Sequence, residues 1–368
     1  MRAIAVSVLV LALVGCYAVR PSSGGGQTEF TPPRKLNPAD VALPPGYRIE
    51  VVASGLTFPT GVAFDGQGVP HIVEAGYSYG EVFTTPRLLR VERDGKLTQV
   101  AAGEKNGPWT GVAFANGAFY VAEGGQLQGG RILRITSDGR ISALVEKLPS
   151  YGDHHTNGPA IGPDGQIYFT IGVATNSGVV GEDNFQFGWL KRFPKFHDIP
   201  CQDIELAGRN FESPNVLADK GRAKTGAFVP FGTETRAGQL IRGQVPCSGA
   251  VLRISPSGGQ PQLVAWGLRN PFGMAFAPDG ALYVTENSYD DRGSRPAWGT
   301  PDVMWRITPG TWYGWPDYAE GNPITNHDYR PPGKDKVEPL PAKPPGEPPK
   351  PVAVLGVHAS ANGFDFSR

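Results

Sequence analysis

Cysteine is scarce in this 368-residue sequence, which has 3, at Cys16, Cys201 and Cys247. Without a CxxC or CxxCH there is no zinc ribbon and no attached cytochrome. No GxGxxG follows a strand and no P-loop is present, so a nicotinamide enzyme is disfavoured. Charge of one sign is missing too: 34 Lys+Arg meet 34 Asp+Glu, and charged residues make up only 18%. A nucleic-acid partner needs a basic surface to displace counterions, and none is expected here. The apolar run at residues 4–14 is too short to span a bilayer.

Glycine and proline are what the chain has in plenty. Gly 50 plus Pro 36 is 86 of 368 residues, about 23% where about 12% is usual, yet 40% of residues stay apolar. Gly and Pro interrupt a 3.6-residue pattern wherever they fall, so the chain reads as short strands joined by turns. Residues 1–16 read as an export signal: Arg2, the apolar run, then Leu13-Val14-Gly15-Cys16, an ending that resembles a bacterial lipobox in which Cys16 is lipidated. The alternative is an ordinary signal peptide with an incidental cysteine. Export follows from both, and a lipid would anchor the protein at the membrane, facing the periplasm or the cell exterior. Residues 17–45, with Ser-Ser-Gly-Gly-Gly and scattered prolines, have the composition of a flexible tether. Cys201 and Cys247 remain for an oxidising compartment, where pairing is expected; two free buried thiols are the alternative.

From residue 46 onward the chain repeats itself. PTGVAFDGQGVPHIVEAG from Pro59, WTGVAFANGAFYVAEGG from Trp109, TNGPAIGPDGQIYFTIG from Thr156 and NPFGMAFAPDGALYVTEN from Asn270 each give a strand, a Gly-containing turn and a second strand, three of them ending near an acid. Third strands are expected at 87–92, 131–136, 250–255 and 302–307, and fourth strands, after DG or GG turns, at 97–101, 141–145 and 262–266. Four strands per repeated unit is the pattern of a propeller blade, so the fold class is all-β, a propeller of the six-bladed type. Starts at 59, 109 and 156 suit one blade each, whereas the longer later intervals imply insertions at about 173–248 and 318–357. The second holds nine prolines in residues 331–351. SANGFDF from Ser360 reads as the start of a fifth copy, so the 46–368 region is expected to be about four blades of a longer propeller, truncated at its C-terminal side.

Two loops lead into inner strands at equivalent points. In Gly152-Asp153-His154-His155-Thr156, a carboxylate beside imidazoles suits proton transfer, although capping or solvent histidines give the same pattern. In Gly267-Leu268-Arg269-Asn270-Pro271, a guanidinium and an amide suit a developing oxyanion or a quinone carbonyl, although an isolated arginine here also binds turn carbonyls. His71, His197 and His327 have no second ligand at a metal spacing and read as structural.

Taken in order, LPPGYRIEVVASGL, GDHHTNGPAIGPDGQIYFTIG, GLRNPFGMAFAPDGALYVTEN and WYGWPDY resemble the soluble glucose and sorbosone dehydrogenase family, six-bladed propellers that depend on pyrroloquinoline quinone. The resemblance implies that His154 is the general base on the anomeric hydroxyl of a sugar substrate, with Asp153 beside it. It implies that Arg269 and Asn270 contact the quinone's reactive carbonyl edge, and that hydride passes from the sugar to the quinone and on to an external electron acceptor. It also implies a calcium ion on oxygen ligands, here Asn287, Ser288, Asp302 and Tyr313. Two departures stand out. Lys105 occupies the loop where the family can place a glutamine against cofactor and substrate, and Val303 follows Asp302 where the family often has a second acid. The competing readings are a calcium-dependent propeller lactonase and a non-catalytic, lipid-anchored propeller that binds a glycan or a protein.

Overall fold

A computed structural model describes residues 36–78, 82–125 and 127–367. The export signal, Cys16 and most of the tether fall outside the described residues. Among the described residues no helix is long and apolar enough to cross a membrane.

The described residues form four antiparallel four-stranded sheets, the blades of a propeller. Blade 1 runs Pro59–Phe64, Pro70–Glu74, Arg87–Val91 and Leu97–Ala102; blade 2 runs Trp109–Ala115, Ala118–Glu123, Gly130–Thr136 and Ile141–Leu148. Blade 3 runs Thr156–Ile161, Ile167–Ile171, Ala250–Ile254 and Gln262–Trp266. Blade 4 is Asn270–Phe276, Leu282–Asn287, Pro301–Arg306 and a fourth strand, Ala353–Val357, which lies inside the stretch that the repeat pattern assigned to an insertion. Each blade is a meander, so strands adjacent in sequence pair with one another once insertions are set aside.

Local chemistry explains the hairpins. Asn116 and Gly117 both have positive φ, 50° and 72°, the backbone of a type I′ turn, and join the first two strands of blade 2. In the DG turns the aspartate folds back on its own loop: Asp164 Oδ1 accepts from Gln166 N–H at 3.1 Å and Asp279 Oδ1 from Ala281 N–H at 3.0 Å. Second strands sit mid-blade with a neighbouring blade on each side, so Ala118–Glu123 and Ile167–Ile171 are buried at every residue and read as apolar runs. Together with residues of the flanking strands they fill layers between blades: Val73, Leu88, Trp109, Val121 and Leu133 between blades 1 and 2, and Tyr168, Val251, Val284, Val303 and Trp305 between blades 3 and 4.

The recurring acid closes the site-facing end of the second strand in three blades. Glu74 accepts from Thr57 N–H at 2.6 Å and Arg87 Nε at 2.7 Å; Glu123 accepts from Asn106 Nδ2 at 2.7 Å, Trp109 Nε1 at 3.1 Å and Arg131 Nε at 2.5 Å. Glu286 accepts from Arg269 N–H and Trp305 Nε1. Inner strands are stitched to one another by the polar residue before the repeat glycine. Thr60 Oγ1 donates to Trp109 O at 2.6 Å, Thr110 Oγ1 to Thr156 O at 2.8 Å, and Asn157 Nδ2 to Pro271 O at 3.1 Å.

Both insertions lie over the ends of blades 3 and 4. The first carries helices Glu182–Gln186 and Trp189–Arg192 and the disulfide Cys201–Cys247. The two insertions pair with each other, Ala207 N–H donating to Leu340 O at 2.8 Å and Ala342 N–H to Glu205 O at 2.8 Å. Arg295 locks the assembly beneath them: buried, it binds Asp317 Oδ1 at 2.6 Å, Ser177 O at 3.1 Å and Pro316 O at 2.8 Å.

Candidate active site

The leading loops of blades 3 and 4 meet at one cavity of about 310 Å³, at the lower end of the range for small-molecule sites. Asp153, His154, His155, Asn157, Arg269, Asn270, Asn287, Ser288, Asp290, Asp302 and His358 line it. The two loops selected from the sequence are therefore one site. The second strand of blade 3 ends between them, and the loop after the second strand of blade 4 forms the facing wall.

His154 is buried and gives its Nδ1 hydrogen to Val173 O at 2.9 Å. That bond selects the tautomer whose Nε2 carries a lone pair, on a ring that lines the cavity. Burial, with the charges of Arg269 and Arg292, drives its pKa well below the ordinary imidazole value, so the ring is neutral. His155 packs at 6.2 Å from the Trp189 ring, and burial alone lowers it to about 4. Asp153 is the neighbour of His154 in sequence but does not hold its ring. Its carboxylate turns away to Arg292 Nη2 at 2.7 Å and Asn184 Nδ2 at 3.1 Å, because a backbone carbonyl already holds His154 Nδ1.

Arg269 is buried and heavily committed. Nε donates to Asn176 O at 3.1 Å, Nη1 to Asn287 O at 3.2 Å, and Nη2 to Asn176 Oδ1 and Asp290 Oδ2, both at 2.8 Å. With five N–H donors on a guanidinium, one Nη1 hydrogen is left for a ligand in the cavity. Burial alone would raise Asp290, but Arg269 and Arg292 outweigh it and hold the carboxylate ionised. Asn270 Nδ2 donates to Asn287 Oδ1 at 3.1 Å, which fixes its amide at the cavity wall. Close packing enforces this: a Cβ on Gly172 would collide with the His154 side chain and stand 3.4 Å from Asn270 Oδ1.

Several residues that build the site carried no signal of their own. Asn176 uses both ends of its amide, accepting from Arg269 and from Asp290 N–H at 2.9 Å while donating to Asp290 O at 2.7 Å and Arg292 O at 3.0 Å. Arg292 bridges Asp153, Asp183 at 2.7 Å and Asp290 at 3.0 Å. Asn157 lines the cavity, and its buried Oδ1 has no hydrogen-bond partner among the described residues. An acceptor in that position calls for a donor from a ligand, such as a hydroxyl.

The expected calcium set does not assemble. Tyr313 lies in the core between blades 3 and 4, its ring 5.2 Å from Trp305. Its hydroxyl donates to Arg306 O at 2.8 Å and accepts from Thr308 N–H at 2.9 Å, so neither role faces the cavity. Asn287, Ser288 and Asp302 do share one wall, but the oxygens of Asn287 and Asp302 are turned to N–H donors, and Ser288 meets Asp302 through its N–H. Asp302 accepts from Ser288 N–H at 3.0 Å, Asn287 Nδ2 at 3.2 Å and Ala361 N–H at 3.1 Å; Asn287 accepts at Oδ1 from Asn270 and at its carbonyl from Arg269. Such N–H groups satisfy the oxygens they reach without a cation, and the arrangement does not fit calcium. Lys105 is also misplaced. It is exposed because its neighbour Asn106 is the residue pulled inward, bonded to Glu123, Gly129 O and the Leu127 and Gln128 N–H groups.

Known proteins match parts of the chain. Residues 234–345 match the family model described as Glucose / Sorbosone dehydrogenase. Over 178 residues the chain is 27% identical to quinoprotein glucose dehydrogenase B of Acinetobacter calcoaceticus, a stretch that covers 48% of this chain and 28% of that protein. The match thus spans less than a third of that relative's length. Among solved structures, the PQQ-bound aldose sugar dehydrogenase of Streptomyces coelicolor aligns with a TM-score of 0.49 at 18% identity, covering 87% of this chain and 74% of the other. The PQQ domain of pyranose dehydrogenase from Coprinopsis cinerea aligns with a TM-score of 0.48 at 13% identity, over 85% and 68%.

Proposed function

We propose that this chain, which matches the glucose/sorbosone dehydrogenase family model over residues 234–345, is an exported quinoprotein that oxidises an aldose or related sugar at its anomeric carbon to a lactone. The observation that carries the reading is His154: a buried, neutral imidazole with its Nδ1 hydrogen committed to Val173 O and its other nitrogen left as a base. The unpartnered Asn157 Oδ1 supports it, since a hydroxyl-rich substrate would satisfy that atom.

The cavity wall fits the carbonyl edge of pyrroloquinoline quinone, with the spare Nη1 hydrogen of Arg269 and the Asn270 amide as the groups that would hold it. Bound there, the quinone supplies the two-electron acceptor for a hydride. The protein's own part is acid–base and positional. His154 Nε2 takes the proton of the anomeric hydroxyl as the C–O bond becomes C=O, and the nearby Asp290 carboxylate stabilises the imidazolium that results. Arg269 and Asn270 would stabilise negative charge that develops on the cofactor's carbonyl edge. No step runs through calcium. The electrons leave to an external acceptor, and the lipobox-like Cys16 gives the reading its location, a lipid-anchored protein outside the cytoplasmic membrane.

Sugar-dependent dye reduction with added pyrroloquinoline quinone tests the proposal. Replacing His154 by Ala should lower kcat by about 10²- to 10⁴-fold, the usual contribution of a positioned general base. Undiminished dye reduction by that variant would remove His154 from the mechanism, and hydrolysis of a lactone without quinone would replace the reading by a lactonase.

A further inference from the structure

Residues 172–175, which continue the second strand of blade 3, pass between the two halves of the site and are held along their length. Gly172 N–H donates to His155 O at 2.9 Å, Val173 N–H to Arg269 O at 2.9 Å, and Asp153 N–H to Ala174 O at 3.0 Å. One peptide unit within this segment matters most. Its carbonyl, Val173 O, takes the Nδ1 hydrogen of His154, and its N–H, on Ala174, donates at 2.6 Å to Oδ1 of Asp198. The peptide is planar with N–H and C=O anti to each other, so a group that grips the N–H also aims the C=O. An acceptor at the N–H further polarises the carbonyl and strengthens its pull on the imidazole hydrogen.

Asp198 is buried and well placed for both tasks. Its second oxygen, Oδ2, accepts from the Thr175 hydroxyl at 2.5 Å. Thr175 Oγ1 itself accepts from Gly178 N–H at 2.8 Å, which leaves the hydroxyl's one hydrogen for Asp198. Asp198 is delivered by the first insertion, whose next residue is pinned beside the disulfide: Ile199 N–H donates to Ser248 Oγ at 3.1 Å, and Ser248 N–H to Ile199 O at 2.9 Å. Cys201–Cys247 closes the same strap.

We propose that Asp198 is a positioning residue for His154, acting through the single peptide Val173–Ala174 to fix the imidazole's tautomer and raise its proton affinity. The disulfide-closed insertion is then part of the site, carrying an acidic side chain to a base that has none in direct contact. The geometric claim stands on the contacts above; its consequence for rate rests on the proposed role of His154.

The test uses the full chain labelled with ¹⁵N-histidine, with the His154 Nδ1–H signal assigned by its loss in His154→Gln. His71, whose Nδ1 pairs with Val69 O at 3.0 Å in blade 1, is the internal reference. Asp198→Asn should speed solvent exchange of the His154 Nδ1 hydrogen about tenfold and leave His71 unchanged, the effect of weakening one buried hydrogen bond. Asp198→Ala should exceed it, with a mixture of tautomers in the ¹⁵N shifts; if that variant does not fold, Thr175→Val reads out in the same direction. An unaltered His154 signal in a folded Asp198 or Thr175 variant overturns the proposal. In dye reduction the Asp198→Asn variant should lose about ten- to a hundredfold in kcat with KM little changed. If exchange shifts while turnover does not, Asp198 positions His154 but His154 is not the base, and it is the proposed function that falls.

Discussion

A histidine serves as a base only in its neutral form, and His154 is kept neutral by what surrounds it. Burial disfavours the cation first, and Arg269 and Arg292 add repulsion that the Val173 carbonyl and Asp290 only partly offset. The sign follows directly. A lowered imidazole pKa means that the base form survives to lower pH than in a free histidine. The acid limb of the kcat/KM profile should therefore lie below pH 6.5, with no loss assignable to this group between pH 8 and that value. A limb centred at or above 6.5 would show that the essential imidazole is a solvated one, and would move attention to the half-exposed His358, 3.6 Å from Asp290 Oδ1.

At the scale of elements, the blades are held at fixed angles by glycines in their inner strands. A Cβ on Gly111 would meet the carbonyl oxygen of Gly158 in the next blade well inside contact distance, and that oxygen is backbone with nowhere to move. Gly111→Ala should consequently cost about 1–3 kcal/mol by overpacking, read as a fall in the denaturation midpoint. It should also disturb the site, since Gly158 follows Asn157 in the strand that lines the cavity. Gly66→Ala is the control. Its Cβ would touch only the Phe114 ring at 3.8 Å, and a change within about 0.5 kcal/mol is expected. Equal effects at the two positions would mean that the interblade contact is not what fixes the strand.

Over the whole molecule, apolar surface is distributed unevenly. Blades 2 and 3 have neighbours on both faces, whereas the first strand of blade 1 exposes Val62 and Phe64, at 56% and 61%. Exposed strand faces of this kind invite association between chains. Replacing Val62 by Thr and Phe64 by Ser should lower light scattering at high protein concentration while leaving the melting temperature within about 2 °C, the effect of a surface change of about 0.5 kcal/mol. A large drop in melting temperature would show instead that these side chains are part of the core.

Much of this was legible without coordinates. The strands of four blades follow from a repeat near fifty residues, turn dipeptides that need positive φ, and alternation at period two, all of which are local properties of the chain. The pairing of the two leading loops was also accessible, because equivalent points of a repeat converge on the axis of a propeller. What lay beyond the sequence is what insertions do. Ala353–Val357 completes blade 4 from just beyond the proline-rich stretch, and no local period marks a strand whose partner, Pro301–Arg306, is separated from it by that stretch. Lys105 and Tyr313 were placed by analogy with a motif, but which of two adjacent residues turns inward is decided by competing partners, Asn106 in one case and the Trp305 layer in the other. Asn176, Arg292 and Asp198 became recognisable only when folding joined loops far apart in the chain, as in the sequence separation of 114 between Asn176 and Asp290. Hydrophobic period and turn chemistry, being local, determined the scaffold; the direction in which each buried polar side chain points depends on which donors and acceptors tertiary packing brings within about 3 Å, and that determined the site.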